Sequence, residues 1–259
     1  MTNRLILLSA ALILNFQITP DHLSSSLCKK SKLFKARNVV AWSDSSAEGV
    51  FFYESGLAID ADGSPRAYHP TDRLGLDSLS HAGHRGNWWA LVTHNERTSG
   101  NPVVQGRADP APGYFVSTTA LYDRTNTNPR DPRRYVDAEK IPYVVLHPRA
   151  LRYAKLGDFA TVINLKNRKI AAAIVADESA ANLPVGEGSI ALARALVIDS
   201  SPRHGGQDGK VVFVIYPGSG NGRPRELQDI HANSNRLFAA WGGVKKLDAC
   251  LVSQTTADR

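Results

Sequence analysis

Two carboxylates stand ten positions apart, one closing the run Ala171-Ala172-Ala173-Ile174-Val175-Ala176-Asp177 and one inside Gly186-Glu187-Gly188-Ser189. The first run is small, apolar and β-branched, and it reads as a buried strand that ends on an acid. The second opens an amphipathic helix predicted over 187–198, with Ile190, Leu192, Ala193, Leu196 and Val197 as its apolar positions. A strand end and a helix start joined by one loop can lie side by side, with both acids on the rim of a cleft. Such a pair can break a glycosidic bond: one carboxylic acid protonates the departing oxygen while the other activates water or attacks the anomeric carbon. The plainer reading is that Asp177 caps the strand exit and Glu187 favours the positive end of the helix dipole. Glycine on both sides of Glu187 argues against it, because glycine serves unusual torsions and close backbone approach.

Other motifs carry less. Gly218-Ser219-Gly220-Asn221-Gly222 lacks the Lys-Ser/Thr of a phosphate loop and reads as a tight turn. No G-x-S-x-G elbow is present. His81 and His84 have no carboxylate at metalloprotease spacing and read as surface histidines, so no metal site is expected. Basic residues are not interleaved with aromatics along one element, which disfavours nucleic acid as a partner. Trp88, Trp89, Tyr114 and Tyr216 could stack on sugar rings, although core packing is the default for each. Trp88 and Trp89 are adjacent and on one strand must face opposite ways.

The elements that must position these residues are mostly strands. Short β-type runs recur at 50–53, 88–93, 114–119, 143–146, 160–164, 170–176 and 211–216, separated by stretches rich in Pro, Gly, Asn and Asp. A second helix is predicted over 228–241, and the long loops 60–86 and 121–138 are candidates for building a site. With 259 residues, 42% hydrophobic, the chain can bury one large core or two modest ones, which excludes disorder and fibre. The net charge of +7 would ordinarily suggest an anionic partner. Residues 1–37, however, hold six cations against one acid and so carry five of those seven charges, leaving the remainder close to balance.

Arg4 precedes an apolar run over 5–14, too short to span a bilayer and of the length a secretory signal needs. The expected organisation is a signal peptide over 1–22, a flexible basic leader over 23–49 and a single catalytic domain over 50–259. Cys28 and Cys250, the only cysteines, either bridge the ends of the chain or remain independent thiols.

Four blocks, in order, resemble the chitosanases of glycoside hydrolase family 75: Gly56-Leu57-Ala58-Ile59-Asp60-Ala61-Asp62-Gly63, Tyr135-Val136-Asp137-Ala138-Glu139-Lys140-Ile141-Pro142-Tyr143, the segment 177–189, and Tyr216-Pro217-Gly218-Ser219-Gly220. The resemblance implies a secreted, metal- and cofactor-independent enzyme, monomeric, that cleaves β-1,4 linkages of chitosan internally with inversion. It implies Asp177 and Glu187 as the catalytic pair, with Glu187 as acid and Asp177 as base; Glu178 is the alternative to Asp177. Chitosan is a polycation, so its groove should be acidic, and Asp60, Asp62, Trp88, Asp137 and Tyr216 are the expected substrate-binding residues. Asp60 and Asp62 either share a strand face and pair with ammonium groups or form a hydrophilic turn. At fold level the implied architecture is mainly β: a six-stranded double-psi β-barrel-like core with long loops and one or two short helices. Endoglucanases, expansins and lytic transglycosylases use that fold too, so the alternatives are a non-catalytic wall-polysaccharide binding module of expansin type and a lytic transglycosylase.

Overall fold

The computed structural model describes residues 28–47 and 49–252. The expected signal segment over 1–22 lies outside them. Ten strands, β1 (Lys30–Ala36), β2 (Val39–Asp44), β3 (Phe51–Asp60), β4 (Gly83–His84), β5 (Asn87–Trp88), β6 (Tyr143–Leu146), β7 (Phe159–Asn164), β8 (Lys169–Glu178), β9 (Glu187–Ser189) and β10 (Gln207–Tyr216), are accompanied by the helices α1 (Ile190–Ala195), α2 (Leu227–Trp241) and α3 (Gly243–Val252). Six strands close on themselves in the order β3, β10, β7, β8, β6, β9 and back to β3. Two of the pairs are parallel, β3 with β9 and β6 with β8, and the other four are antiparallel. Exchanging β3 with β8, β6 with β9 and β7 with β10 leaves every one of these pairings unchanged. The ring therefore has a two-fold pattern, in which Asp60 near the end of β3 and Asp177 near the end of β8 occupy related places.

Alternation along the strands sorts the apolar residues into two cores. Phe51, Tyr53, Leu57 and Ile59 of β3, Val211, Phe213 and Ile215 of β10, and Ala171, Ala173 and Val175 of β8 belong to one cluster. Phe52, Val212, Val214, Ala172, Ile174 and Ala176 belong to another, which contains Ile230, Phe238, Trp241 and Leu247 of α2 and α3. The two long helices α2 and α3 pack on the second cluster, which is therefore the outer face, and the first is the interior. Large and small residues alternate across the interior. Tyr53 stacks on Phe213 at 4.9 Å while β8 contributes alanines. Ile190, Leu192, Ala193 and Leu196, from α1 and the residue after it, join the interior cluster.

Three expectations are corrected. Residues 30–44, read as part of a flexible leader, form an antiparallel hairpin whose second strand pairs with the first half of β3, Ala41 opposite Tyr53. The predicted strands over 88–93 and 114–119 are reduced to β5 and single bridges, Leu91 to Ser117 and Val104 to Phe115. Pro102, Pro110 and Pro112 between them cannot donate to a ladder. The predicted helix over 187–198 is a three-residue strand followed by a one-and-a-half-turn helix, because Ser189 accepts from Leu192 N at 3.1 Å and caps the helix there. The alternative of independent thiols is also settled: Cys28 and Cys250 form a disulfide with Cα atoms 5.2 Å apart.

Candidate active site

Residue Val145 of β6 is the Cα partner of Asp177 on one side and of Glu187 on the other. The two acids thus flank β6 at one strand spacing each, about 10 Å apart at Cα, and face outward with Val145. Asp177 faces outward because the β6–β8 register slips: Val144 pairs with Val175, but Val145 pairs with Asp177. Without that slip, Asp177 would follow Val175 into the interior. Asp60 ends β3 opposite Ser189. Its Oδ1 accepts from Asp62 N at 2.8 Å, a tight turn that folds Asp62 back beside it. Carboxylate oxygens of Asp60, Asp62 and Asp177 lie within 4.8 Å of one another. That spacing lets the three share one cation, either an ammonium group or a metal ion.

Each acid is held. Asp177 Oδ1 accepts from Ala120 N at 3.1 Å and Glu178 N at 2.8 Å. Asp62 Oδ1 accepts from Tyr68 Oη at 2.7 Å and Ser117 Oγ at 3.2 Å, and Tyr143 Oη donates to the Asp62 backbone oxygen at 2.9 Å. Both oxygens of Asp77, which is 3% exposed, lie 2.9 Å from His81 Nδ1. The glycines around Glu187 serve separate needs. Gly186 has φ +101°, and a Cβ on it would meet Ser55 Oγ at 2.2 Å. A Cβ on Gly188 would lie 2.7 Å from Tyr143 O.

Burial and mutual repulsion make the cluster hold protons. Burial, then the charges of Asp60 and Asp77, push Glu187 up to about 8. Burial and Asp77 push Asp60 up to about 6, against the pull of Asp62 N and the Tyr143 hydroxyl. Asp62 and Asp177 are raised well above the ordinary carboxylate range, first by burial and then by Asp60. The backbone N–H groups of Glu178 and Ala120 act on Asp177 in the opposite sense. The consequence for stability has an unusual sign. Because the folded state keeps the Glu187 proton that the unfolded chain releases near 4.5, its contribution is complete below about pH 4.5 and is lost as pH rises through about 8. Glu187→Gln should therefore raise the thermal midpoint at pH 8 by a few degrees and change it little at pH 4.5, as read by calorimetry.

Of the residues expected at the site, the structure brings together Asp60, Asp62, Asp177 and Glu187. Glu178 is exposed, whereas Asp177 is buried beside Asp60 and Asp62. Asp137 pairs with Lys140 at 3.0 Å and accepts from Glu139 N, so it secures a turn. Tyr216 is a core residue, 3% exposed, with its hydroxyl donating to Thr161 Oγ1 at 2.9 Å. Trp88 packs against the interior cluster, and its neighbour Trp89 is the exposed one, at 55%, donating its indole N–H to His81 O. Tyr68, Asp77, His81, Ser117 and Tyr143 complete the surroundings. Asp77 stands out as an acid beside the matching blocks and Tyr143 closes one of them, and the length of the 60–86 loop points to Tyr68 and His81; Ser117 carries no signal, because its role rests on long-range hydrogen bonds.

Two carboxylates on either side of one strand, one keeping its proton near neutral pH and beside acids that can hold a cation, form an arrangement suited to acid–base hydrolysis of a glycosidic bond. Residues 109–249 match the family described as fungal chitosanase of glycosyl hydrolase group 75. The match covers more than half of the 259 residues and includes Asp177 and Glu187. The chain belongs to this family of chitosanases. No curated protein matches it. Asp60, Asp62 and Asp77 precede the matched stretch, so three of the five acids of the cluster come from a part of the chain that the match leaves out.

Proposed function

We propose that this chitosanase cleaves β-1,4 linkages between glucosamine residues internally and with inversion, Glu187 acting as general acid and Asp177 as general base. The observation that carries this reading is the placement of the two acids on either side of Val145. Inverting enzymes keep their carboxyl groups roughly 6.5 to 9.5 Å apart to admit a water, and two strand spacings are compatible with that range. Glu187, raised to about 8, carries the proton that the departing oxygen needs. Asp177 shares its surroundings with Asp60 and Asp62. A glucosamine ammonium between these three would lower all their proton affinities and release Asp177 as a base. Asp60 and Asp62 are thus substrate-binding residues, and Trp89 replaces Trp88 as the aromatic available to a sugar ring. The two-fold pairing pattern supports a double-psi barrel, and the catalytic domain expected over 50–259 takes in the hairpin over 30–44 as well.

The apolar run over 5–14 and the disulfide support export of the protein. Among the described residues no helix is long and apolar enough to cross a membrane. The test is product analysis after incubation with chitosan. Oligomers with ordinary reducing ends are expected from the first minutes; polymer retained without cleavage, or anhydro-sugar products, would reject hydrolysis.

A further inference from the structure

A pocket of about 590 Å³ that none of the clustered acids lines is walled by Lys35, Arg37, His147, Arg149 and Arg152, with Ala181 beside them. No acid contributes to its wall. Ten basic side chains in the described residues pair with carboxylates, and none of the four Lys and Arg residues of this pocket is among them. Their other contacts are to backbone oxygens: Arg37 Nη1 donates to Asn182 O at 2.6 Å and Arg149 Nη1 to Lys35 O at 2.5 Å. His147, 5% exposed, lies 3.2 Å from Ala181 O through Nε2 and accepts from Arg149 N through Nδ1. The backbone bonds fix Arg37 and Arg149 in place while leaving further guanidinium donors for a ligand. Four like charges gathered without a counter-charge disfavour the fold unless an anion joins them. The chitosan polycation cannot be that partner.

We propose that this pocket binds a phosphate group, with Lys35, Arg37, Arg149 and Arg152 as its cationic walls. Two guanidinium forks from Arg149 and Arg152, three positions apart on one helical turn, match the oxygens of a tetrahedral oxyanion. The site also borders the loop joining Asp177 to Glu187, since Arg37 and His147 hold that loop at Asn182 and Ala181. Two of the six cations of residues 1–37 thereby acquire a role, because Lys35 and Arg37 lie on the β1–β2 hairpin.

The test is made without chitosan, which binds phosphate itself. The thermal midpoint of the full chain is followed against inorganic phosphate, and separately against poly(glycerol phosphate), each compared with sodium chloride at equal ionic strength. A ligand that binds only the folded state raises the midpoint. Both phosphate forms are expected to raise it in wild type, and the Arg149→Gln/Arg152→Gln variant should bind each at least about tenfold more weakly. That variant should hydrolyse chitosan at the wild-type rate in phosphate-free buffer. Polymer binding about tenfold tighter per phosphate than the free ion would identify an esterified phosphate as the ligand, and equal binding would identify the free anion. No shift with either form beyond that of chloride, or an equal shift in the variant, would overturn the site.

Discussion

Replacing Glu187 by Gln should lower the rate of chitosan cleavage by about 10²- to 10⁴-fold, and Asp177→Asn should do the same. The two losses have different causes. Glu187 is kept protonated to about pH 8 by burial and by Asp60 and Asp77, so Gln keeps the shape and removes the proton. Asp177 is held at one oxygen by Ala120 N and Glu178 N. Asn can keep both of these hydrogen bonds through its own oxygen, yet it cannot take a proton from water. The pH profile separates the roles. In wild type the rate should fall above about pH 8 as Glu187 loses its proton, and the residual rate of Glu187→Gln should lack that fall. Circular dichroism and the thermal midpoint confirm folding of each variant. If both cleave within a few-fold of wild type, the chemistry belongs to other residues.

The second large effect concerns stability. The bond between Cys28 and Cys250 closes a loop of 222 positions, for which chain entropy alone gives about 5 kcal/mol. It ties the chain ahead of β1 to α3, and a second tie lies beside it. Asp44 of β2, 2% exposed, accepts from Trp241 Nε1 at 3.1 Å and pairs with Lys246 at 2.8 Å. Burial alone would raise Asp44, but Lys246 and Ser46 outweigh it and hold the carboxyl below its ordinary value. The double variant Cys28→Ser/Cys250→Ser should lower the thermal midpoint by about 10 °C or more. Activity at low temperature should survive, because both ends of the bond lie outside the six-stranded ring. An unchanged midpoint would mean that Asp44 and its partners suffice to hold the ends.

The two acids of the proposed pair stand out in the sequence because their signal is local: an apolar run ending on an acid, and an acid between two glycines. The turn of Asp177 to the outer face could not be found, since it depends on a one-residue slip against β6. Of the two readings of Asp60 and Asp62 the structure takes the turn, since β3 ends at Asp60 and the bond from Asp62 N folds Asp62 back, and that turn is what brings both carboxylates to Asp177. The N-terminal hairpin was hidden by its composition and by its own bulge. Register shifts between Lys32 and Phe34, so the period of two is broken inside a seven-residue strand. Trp88 and Trp89 must face opposite ways in either arrangement, and which of them faces the core is decided by the short β4–β5 ladder, where Trp88 lies opposite Gly83.

The central claim is that Asp177 and Glu187 act across a gap wide enough for water. Proton NMR of the first products released from a chitosan oligomer reads this directly. Release of the α anomer from β linkages, before mutarotation, is the predicted result; initial release of the β anomer would contradict it and place a nucleophile against the anomeric carbon.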